Sequence, residues 1–418
     1  MGSNPDGPSS ESGQELDPRD DGCYSAKGSE LALVMTGGGA RAAYQVGFLR
    51  HLAKQCPDLE IPIITGVSAG AINAVFLAAH PGNFQEAVEE LSELWANLRV
   101  EDVFRVDARS LTVNVSKWIL QLGSGGLAGE SKIRSLVDTD PLRHFLARHL
   151  HGGPEGFPGV EENLQRGRLK ALALSASSYT TGQSITWIQG RDVKEWTRPQ
   201  RRGRRATITL DHLMASSALP FFFPAIQVGS SWYGDGGIRL TAPFSPAIHL
   251  GADRILAIST RYPRDVAEAD RPGVNGYPPP AQMAGVLLNA VFLDLLDHDA
   301  QRLDRLNRLL LRLPEDRREG LRPIHLSTLR PSRDLGRLAN RFEPRLPRLF
   351  RFLSRGLGTR ETRSPDALSL ILFQPDYLRT LMRTGERDAE KNWSEVQALL
   401  ESTHTPSSDG ENHRSQGG

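Results

Sequence analysis

Residues 30–41 read ELALVMTGGGAR, and this stretch decides the fold class. An apolar run ends at Gly37-Gly38-Gly39, and from Ala40 the apolar residues recur at helical spacing, so the segment reads as strand, glycine turn and helix. A second unit of the same kind follows. The apolar run from Ile61 to Thr65 ends at Gly66 and leads into AINAVFLAA at 71–79, which is rich in strong helix formers. Strands covered on both faces read as unbroken apolar runs, and their alternation with helices implies parallel pairing. The spacing predicts an α/β fold built on a central, mostly parallel sheet. Further strands are expected at Leu169 to Ser175, Ser184 to Ile188, Ala225 to Val228 and Arg254 to Ser259, with helices near Phe84 to Leu98, Leu142 to His149 and Leu213 to Ser217. From about Ala281 the pattern becomes mainly helical and rich in arginine.

Composition bounds the function. The chain has 418 residues, 39% of them hydrophobic, and a formal net charge of +1, so it can bury a large core and offers no global electrostatic case for binding nucleic acid. Its two cysteines, Cys23 and Cys56, make neither a disulfide framework nor a four-ligand zinc site, which points to a reducing compartment. The polar, acidic first 22 residues lack the apolar core of a secretory signal, and Asp6 stands where a myristoylation motif needs Ser or Thr. The apolar segment GVLLNAVFLDLL at 285–296 is too short to span a bilayer and carries Asn289 and Asp294. The expectation is a cytoplasmic protein that at most rests peripherally on a membrane. Four regions are expected: a disordered head at 1–28, a catalytic domain at 29–260, a mainly helical region at 261–402 packed on it, and a disordered tail at 403–418.

Gly66-Val67-Ser68-Ala69-Gly70 fits G-x-S-x-G where a strand hands over to a helix, the context such a nucleophile requires. Small neighbours permit a sharp turn that lifts the hydroxyl above the helix N-terminus, where developing negative charge is favoured. An ordinary tight turn is the competing reading. Gly37, Gly38 and Gly39 offer backbone N–H groups for an oxyanion, and parallel strands bring their turns to one sheet edge, so this loop is expected to face Ser68. No G-K-[ST] follows the glycines, and the third glycine of a dinucleotide fingerprint would fall at Ala42. Arg41 braces the loop, meets a phosphate or sits in solvent.

A serine nucleophile needs a base. None of the 11 histidines has a distinctive setting, although His249 and His325 follow apolar stretches. The alternative is Asp235 in Trp232-Tyr233-Gly234-Asp235-Gly236-Gly237, a carboxylate between glycines that accepts the serine proton directly if it reaches Ser68. Asp-Gly is also a strong hairpin-turn signal.

Taken together, GGGAR at 37–41, GVSAG at 66–70, ASSALPFFFP at 215–224 and DGG at 235–237 resemble the patatin-like phospholipase family in order and spacing. The resemblance covers about Leu31 to Ala247, and LFQPDY at 372–377 with Gly385 and Asp388 is similar to the C-terminal part of bacterial members. Ala42, where many members have glycine, departs from the pattern. The resemblance implies a three-layer α/β/α fold and a lipid acyl hydrolase with a Ser68–Asp235 dyad. It also implies an oxyanion hole formed by N–H groups of the glycine loop, chiefly Gly38 and Gly39, with Arg41 in support. Phospholipids, lysophospholipids or acylglycerols would be the substrates. No cluster of His, Cys and carboxylates has calcium or zinc spacing, so catalysis is expected to need neither a metal ion nor a cofactor.

Phe221 to Phe223 would line an apolar substrate groove or belong to the core, and the helix at 281–296 would cover the site, press on a bilayer or simply pack. Arg198 to Arg205 and the arginines from Arg302 through Arg363 would meet anionic lipid or form solvated faces. Two other functions compete: an esterase of small soluble esters using Asp253 with His298 or His325, and a lipid-binding protein that has lost its activity.

Overall fold

The computed structural model describes residues 30–105, 135–274, 276–292, 294–346, 351, 364 and 366–402. The expected head and tail, Cys23, and the arginines at 347–350 and 352–363 lie outside the described residues. The opening run forms β1 (Leu31–Met35), followed by a short turn of helix at Gly39–Ala42 and by α1 (Ala43–Gln55). β2 (Ile63–Val67) delivers Ser68 to the first turn of α2 (Ala69–Ala79), and α3 (Phe84–Asn97) follows behind a capping box of Asn83 and Glu86. The remaining strands are β3 (Ala171–Ser178), β4 (Ser184–Gly190), β5 (Trp196–Arg198), β6 (Arg201–Arg205), β7 (Ile226–Val228), β8 (Ser231–Asp235), β9 (Arg254–Ile258) and β10 (His325–Leu329).

The sheet order is β10-β9-β1-β2-β3-β4-β6-β5, with β8 joined to β3 and β7 to β8. From β10 to β3 every neighbouring pair is parallel, whereas β4 and β8 run antiparallel to β3. This is the mixed, mostly parallel sheet that the apolar runs predict. Period-two alternation sends Leu31, Leu33 and Met35 into the larger core and Ala32 and Val34 into the smaller one on the opposite face. Helices α1, α2 and α3 cover the first face; the segment around Phe244 and Ala247 and the helix Asp294–Leu310 cover the second. Among the described residues no helix is long and apolar enough to cross a membrane.

Two departures from the sequence reading concern strands. Arg198 to Arg205 is not a free basic run: it supplies most of the hairpin β5–β6 at one edge of the sheet, where Glu195 accepts from Arg204 Nη1 at 3.3 Å and from the Arg205 backbone N–H at 3.0 Å. Charged edge strands of this kind resist pairing with other chains. The region after Ala281 is not wholly helical, because His325–Leu329 pairs in parallel with β9 and extends the sheet at its other edge.

The helix Pro375–Lys391 lies against α1 with backbone almost touching backbone. A methyl group on Gly47 would stand 1.9 Å from the Met382 carbonyl oxygen, and one on Gly385 would stand 2.1 Å from that of Tyr44, so neither position admits a side chain. A buried polar chain ties the first units together. Trp95 Nε1 donates to Asn73 Oδ1 (2.8 Å) and Asn73 Nδ2 to Gln45 Oε1 (3.0 Å), while Gln45 Nε2 donates to the carbonyls of Thr36 (2.8 Å) and Ile258 (3.1 Å). Each link is fully desolvated, and a partner lost there is not replaced by water. Asn73→Ala is therefore expected to cost about 2–4 kcal/mol in urea unfolding, because it strands the Trp95 N–H and the Gln45 carbonyl; a loss below about 1 kcal/mol would show that the chain contributes little.

Candidate active site

Ser68 sits between β2 and α2 with φ 56° and ψ −134°, a left-handed backbone that costs a non-glycine residue about 1–3 kcal/mol. Its immediate neighbours hold it there. The Ser68 N–H donates to Ser216 Oγ (3.1 Å), Ser216 Oγ donates to the Ser175 carbonyl (2.7 Å), and Ser217 Oγ donates to the Ser68 carbonyl (3.0 Å). Ser216 and Ser217 belong to the ASSALPFFFP segment, which the sequence flags as a unit without disclosing their task. Gly66 and Gly70 flank the turn where added methyl groups would meet backbone at 2.6 Å and 2.4 Å.

The glycine loop faces the serine. A methyl group on Gly37 would lie 2.8 Å from Ser68 Cβ and 3.4 Å from its Oγ, so only glycine lets the loop come this near. Gly38 and Gly39 both have positive φ, 145° and 53°, and Thr260 Oγ1 fixes the loop by donating to the Gly37 carbonyl at 2.7 Å. Nothing in the sequence singled out Thr260, which follows β9 far along the chain. Arg41 neither meets solvent nor enters the cavity beside Ser68. It is buried, with Nε donating to Ser369 Oγ (2.7 Å) and Nη2 to Asp366 Oδ1 (2.5 Å), so it joins the loop to the helix Asp366–Ile371.

Asp235 ends β8, and pairing explains how it arrives. Val67, the residue before Ser68, lies opposite Ser175 on β3, and the next residue of β3, Ala176, lies opposite Asp235. The carboxyl is fully buried, and this burial raises its pKa from 3.8 to about 7, with the Ser68 hydroxyl and the Gly237 N–H pulling in the opposite direction. Oδ1 accepts from Gly237 N–H at 2.9 Å, whereas Oδ2 has no hydrogen-bond partner among the described residues. Ser68 thus stands close enough to influence the carboxyl without a well-formed hydrogen bond, the loose resting geometry often seen where substrate completes the alignment.

Beside Ser68 opens a narrow cavity. Gly38, Gly39, Ile72, Trp95, Leu98 and Leu146 line it, together with Leu370 and Phe373 of the C-terminal region. Of the three phenylalanines, Phe223 lines this cavity, Phe222 packs edge-on against Phe104 at 5.3 Å, and Phe221 is 80% exposed. No described histidine lines it. His249 stacks on Trp196 at 4.5 Å, and burial with nearby Arg198 and Arg201 lowers its pKa. Asp253 and His325 stand at the amino ends of β9 and β10, the edge opposite the one to which β2 brings Ser68, and His298 is exposed on the helix Asp294–Leu310.

The chain is also similar to known proteins. Mouse (Mus musculus) calcium-independent phospholipase A2-gamma is 26% identical over 223 residues, which cover 52% of this chain and 25% of the mouse protein, so the chain spans about a quarter of that relative's length. Among solved structures, VipD from Legionella pneumophila aligns with a TM-score of 0.35 at 13% identity, over 90% of this chain and 67% of VipD. Human GIVD cytosolic phospholipase A2 in complex with methyl gamma-linolenyl fluorophosphonate aligns with a TM-score of 0.43 at 12% identity, over 93% of this chain and 60% of the human one. A family model described as patatin-like phospholipase matches residues 33–248, and with more than half of its length so matched the chain belongs to the patatin-like phospholipase family.

Proposed function

We propose that the chain hydrolyses fatty-acyl esters of phospholipids, lysophospholipids or acylglycerols, with Ser68 as nucleophile and Asp235 as its base. The observation that carries this reading is the meeting of a strained serine, which lines an apolar cavity from a helix N-terminus, with a buried carboxyl whose pKa is about 7. Ser68 Oγ attacks the ester carbonyl carbon while its proton passes to Asp235. Negative charge gathers on the carbonyl oxygen, where N–H groups of Gly37, Gly38 and Gly39 and the α2 dipole favour it. The carbon–oxygen bond to the leaving alcohol then breaks, Asp235 returns the proton to that alcohol, and the acyl group remains on Ser68. Water attacks the acyl-enzyme by the same route, with Asp235 again taking the proton, and frees the fatty acid and the serine.

This scheme assigns each proton to a side chain of the protein and calls on neither a metal ion nor a cofactor. Arg41 contributes as a brace, keeping the loop against Ser68 from behind. The apolar lining from Ile72 to Leu146 suits an acyl chain, which gains roughly 0.8 kcal/mol per buried methylene. Residues 29–260 would carry the chemistry, and the region at 261–402 would supply the far wall through Leu370 and Phe373.

Defined phospholipid and lysophospholipid vesicles, with the released acid identified by mass spectrometry, test the assignment. Ser68→Ala is expected to lower turnover by roughly 10⁴-fold or more, and equal release by the variant and the wild type would remove Ser68 from the nucleophile role. Asp235→Asn is expected to lower it by about 10²–10⁴-fold.

Two pH effects follow from the raised carboxyl. Only the ionised form accepts a proton, so kcat/KM should fall as the pH drops below about 7. Stability should move the other way. Below about pH 4 the carboxyl is neutral in both folded and unfolded chains, but as the pH rises through about 7 only the folded wild type carries the burden of a desolvated charge. Denaturant melts of Asp235→Asn should therefore match the wild type in acid and exceed it by up to roughly 4 kcal/mol at pH 8.

A further inference from the structure

A second cavity, of about 700 Å³, has a lining that includes Arg264, Arg271, Arg333, Arg337 and Arg341. Two acids share the space, and both are already engaged. Asp334 Oδ1 accepts from the backbone N–H groups of Gly336 (2.9 Å) and Arg337 (3.1 Å) and from Ser364 Oγ (2.9 Å), while its Oδ2 lies 3.6 Å from Arg264 Nη2. Glu268 accepts from the Tyr262 hydroxyl at 2.6 Å. Among the described residues, the guanidinium groups of Arg271, Arg333, Arg337 and Arg341 have no acidic partner. Their planar forks match the oxygens of a phosphate group, and a phosphomonoester, with its higher charge and three free oxygens, uses more of them than a phosphodiester does.

The rim says where such a phosphate would come from. The short helix bearing Glu268 also bears Val266, 80% exposed, and Tyr277 on the following loop is 86% exposed. That loop rests on the helix Pro280–Phe292, since a methyl group on Gly273 would meet Gln282 Nε2 at 3.3 Å, and the same helix exposes Met283, Val286 and Leu287. A site for a dissolved anion gains nothing from uncovered apolar side chains at its edge. Beside a cluster of arginines, they are the composition of a surface that lies in the interface of a bilayer.

We propose that this cavity clamps the phosphomonoester headgroup of an anionic lipid while the apolar rim enters the membrane around it. The proposal concerns binding and holds whether or not Ser68 is a nucleophile. It also sets a distance relation with the candidate active site, because Arg264 Nη2 lies 3.9 Å from Asp366 Oδ2, and Asp366 is the partner of Arg41 behind the glycine loop.

The test uses the full chain carrying Ser68→Ala, so that no lipid is consumed, and sedimentation with vesicles of phosphatidylcholine doped with phosphatidic acid or, at matched charge, with phosphatidylglycerol. Phosphatidic acid vesicles are expected to hold the protein more tightly. Replacing Arg333, Arg337 and Arg341 together by Ala is expected to weaken that binding roughly 10- to 100-fold, whereas the same loss of charge on the helix Asp294–Leu310 and just beyond it, at Arg302, Arg305 and Arg312, changes it by less than about 3-fold. Equal losses in the two triple variants would overturn the proposal in favour of diffuse attraction. So would glycerol 3-phosphate binding in solution as tightly as phosphatidic acid vesicles, which would assign the cavity to free phosphate esters, or sedimentation that depends on self-association alone. Thermal melts check that the triple variant folds, and the single change Arg337→Ala, with an expected several-fold loss, serves where it does not.

Discussion

A buried ion pair ties the glycine loop near one end of the described chain to a helix near the other. Arg41 leaves the glycine turn after the first strand and meets Asp366, more than three hundred residues later, in an environment from which water is nearly absent. Taking both charges out of water is costly, and the pair is sustained only because each partner is further satisfied, Arg41 by Ser369 and Asp366 by Asn289 Nδ2 at 2.7 Å. Fixing Arg41 fixes the loop, and fixing Asp366 fixes the helix whose Leu370 and Ile371 wall the cavity. The candidate oxyanion donors and the candidate acyl pocket are therefore positioned by the same contact.

The local strain at Ser68 has a similar logic. A non-glycine residue at positive φ persists only where its surroundings overdetermine it, and three hydrogen bonds through Ser216, Ser217 and the β3 carbonyl do so here. Opposite stands a carboxyl that would be more comfortable in solvent. Strained backbone and buried acid are both stability costs incurred at the same spot, which is where a fold that must do chemistry is expected to incur them.

The parts legible in the sequence are those whose signal is local. The apolar runs of β1 and β2 announce a doubly covered parallel sheet, and the residues around Ser68 and Asp235 stand out because glycines bracket them. Thr260, Ser216, Asp366 and Ser369 carry no such mark: each is an ordinary polar residue whose partner lies far away in sequence, so only the fold discloses what it does. β6 escaped notice because Arg201–Arg205 looks like a solvated charge run, which is also how an edge strand protects itself. β10 escaped because His325–Leu329 is half polar and lies among leucine–arginine patterns of helical period.

The strand order carries a lesson about synthesis. β1, the first of the described strands, takes β2 as one neighbour almost at once, but its other neighbour, β9, arrives some two hundred residues later, and β10 later still. The glycine face of α1 meanwhile waits for the helix Pro375–Lys391. Until β9 and then the helix Pro375–Lys391 have been made, the nascent polypeptide exposes one free edge of β1 and an uncovered face of α1. Its yield in a cell should accordingly depend on how well chaperones shelter that half-built sheet during elongation.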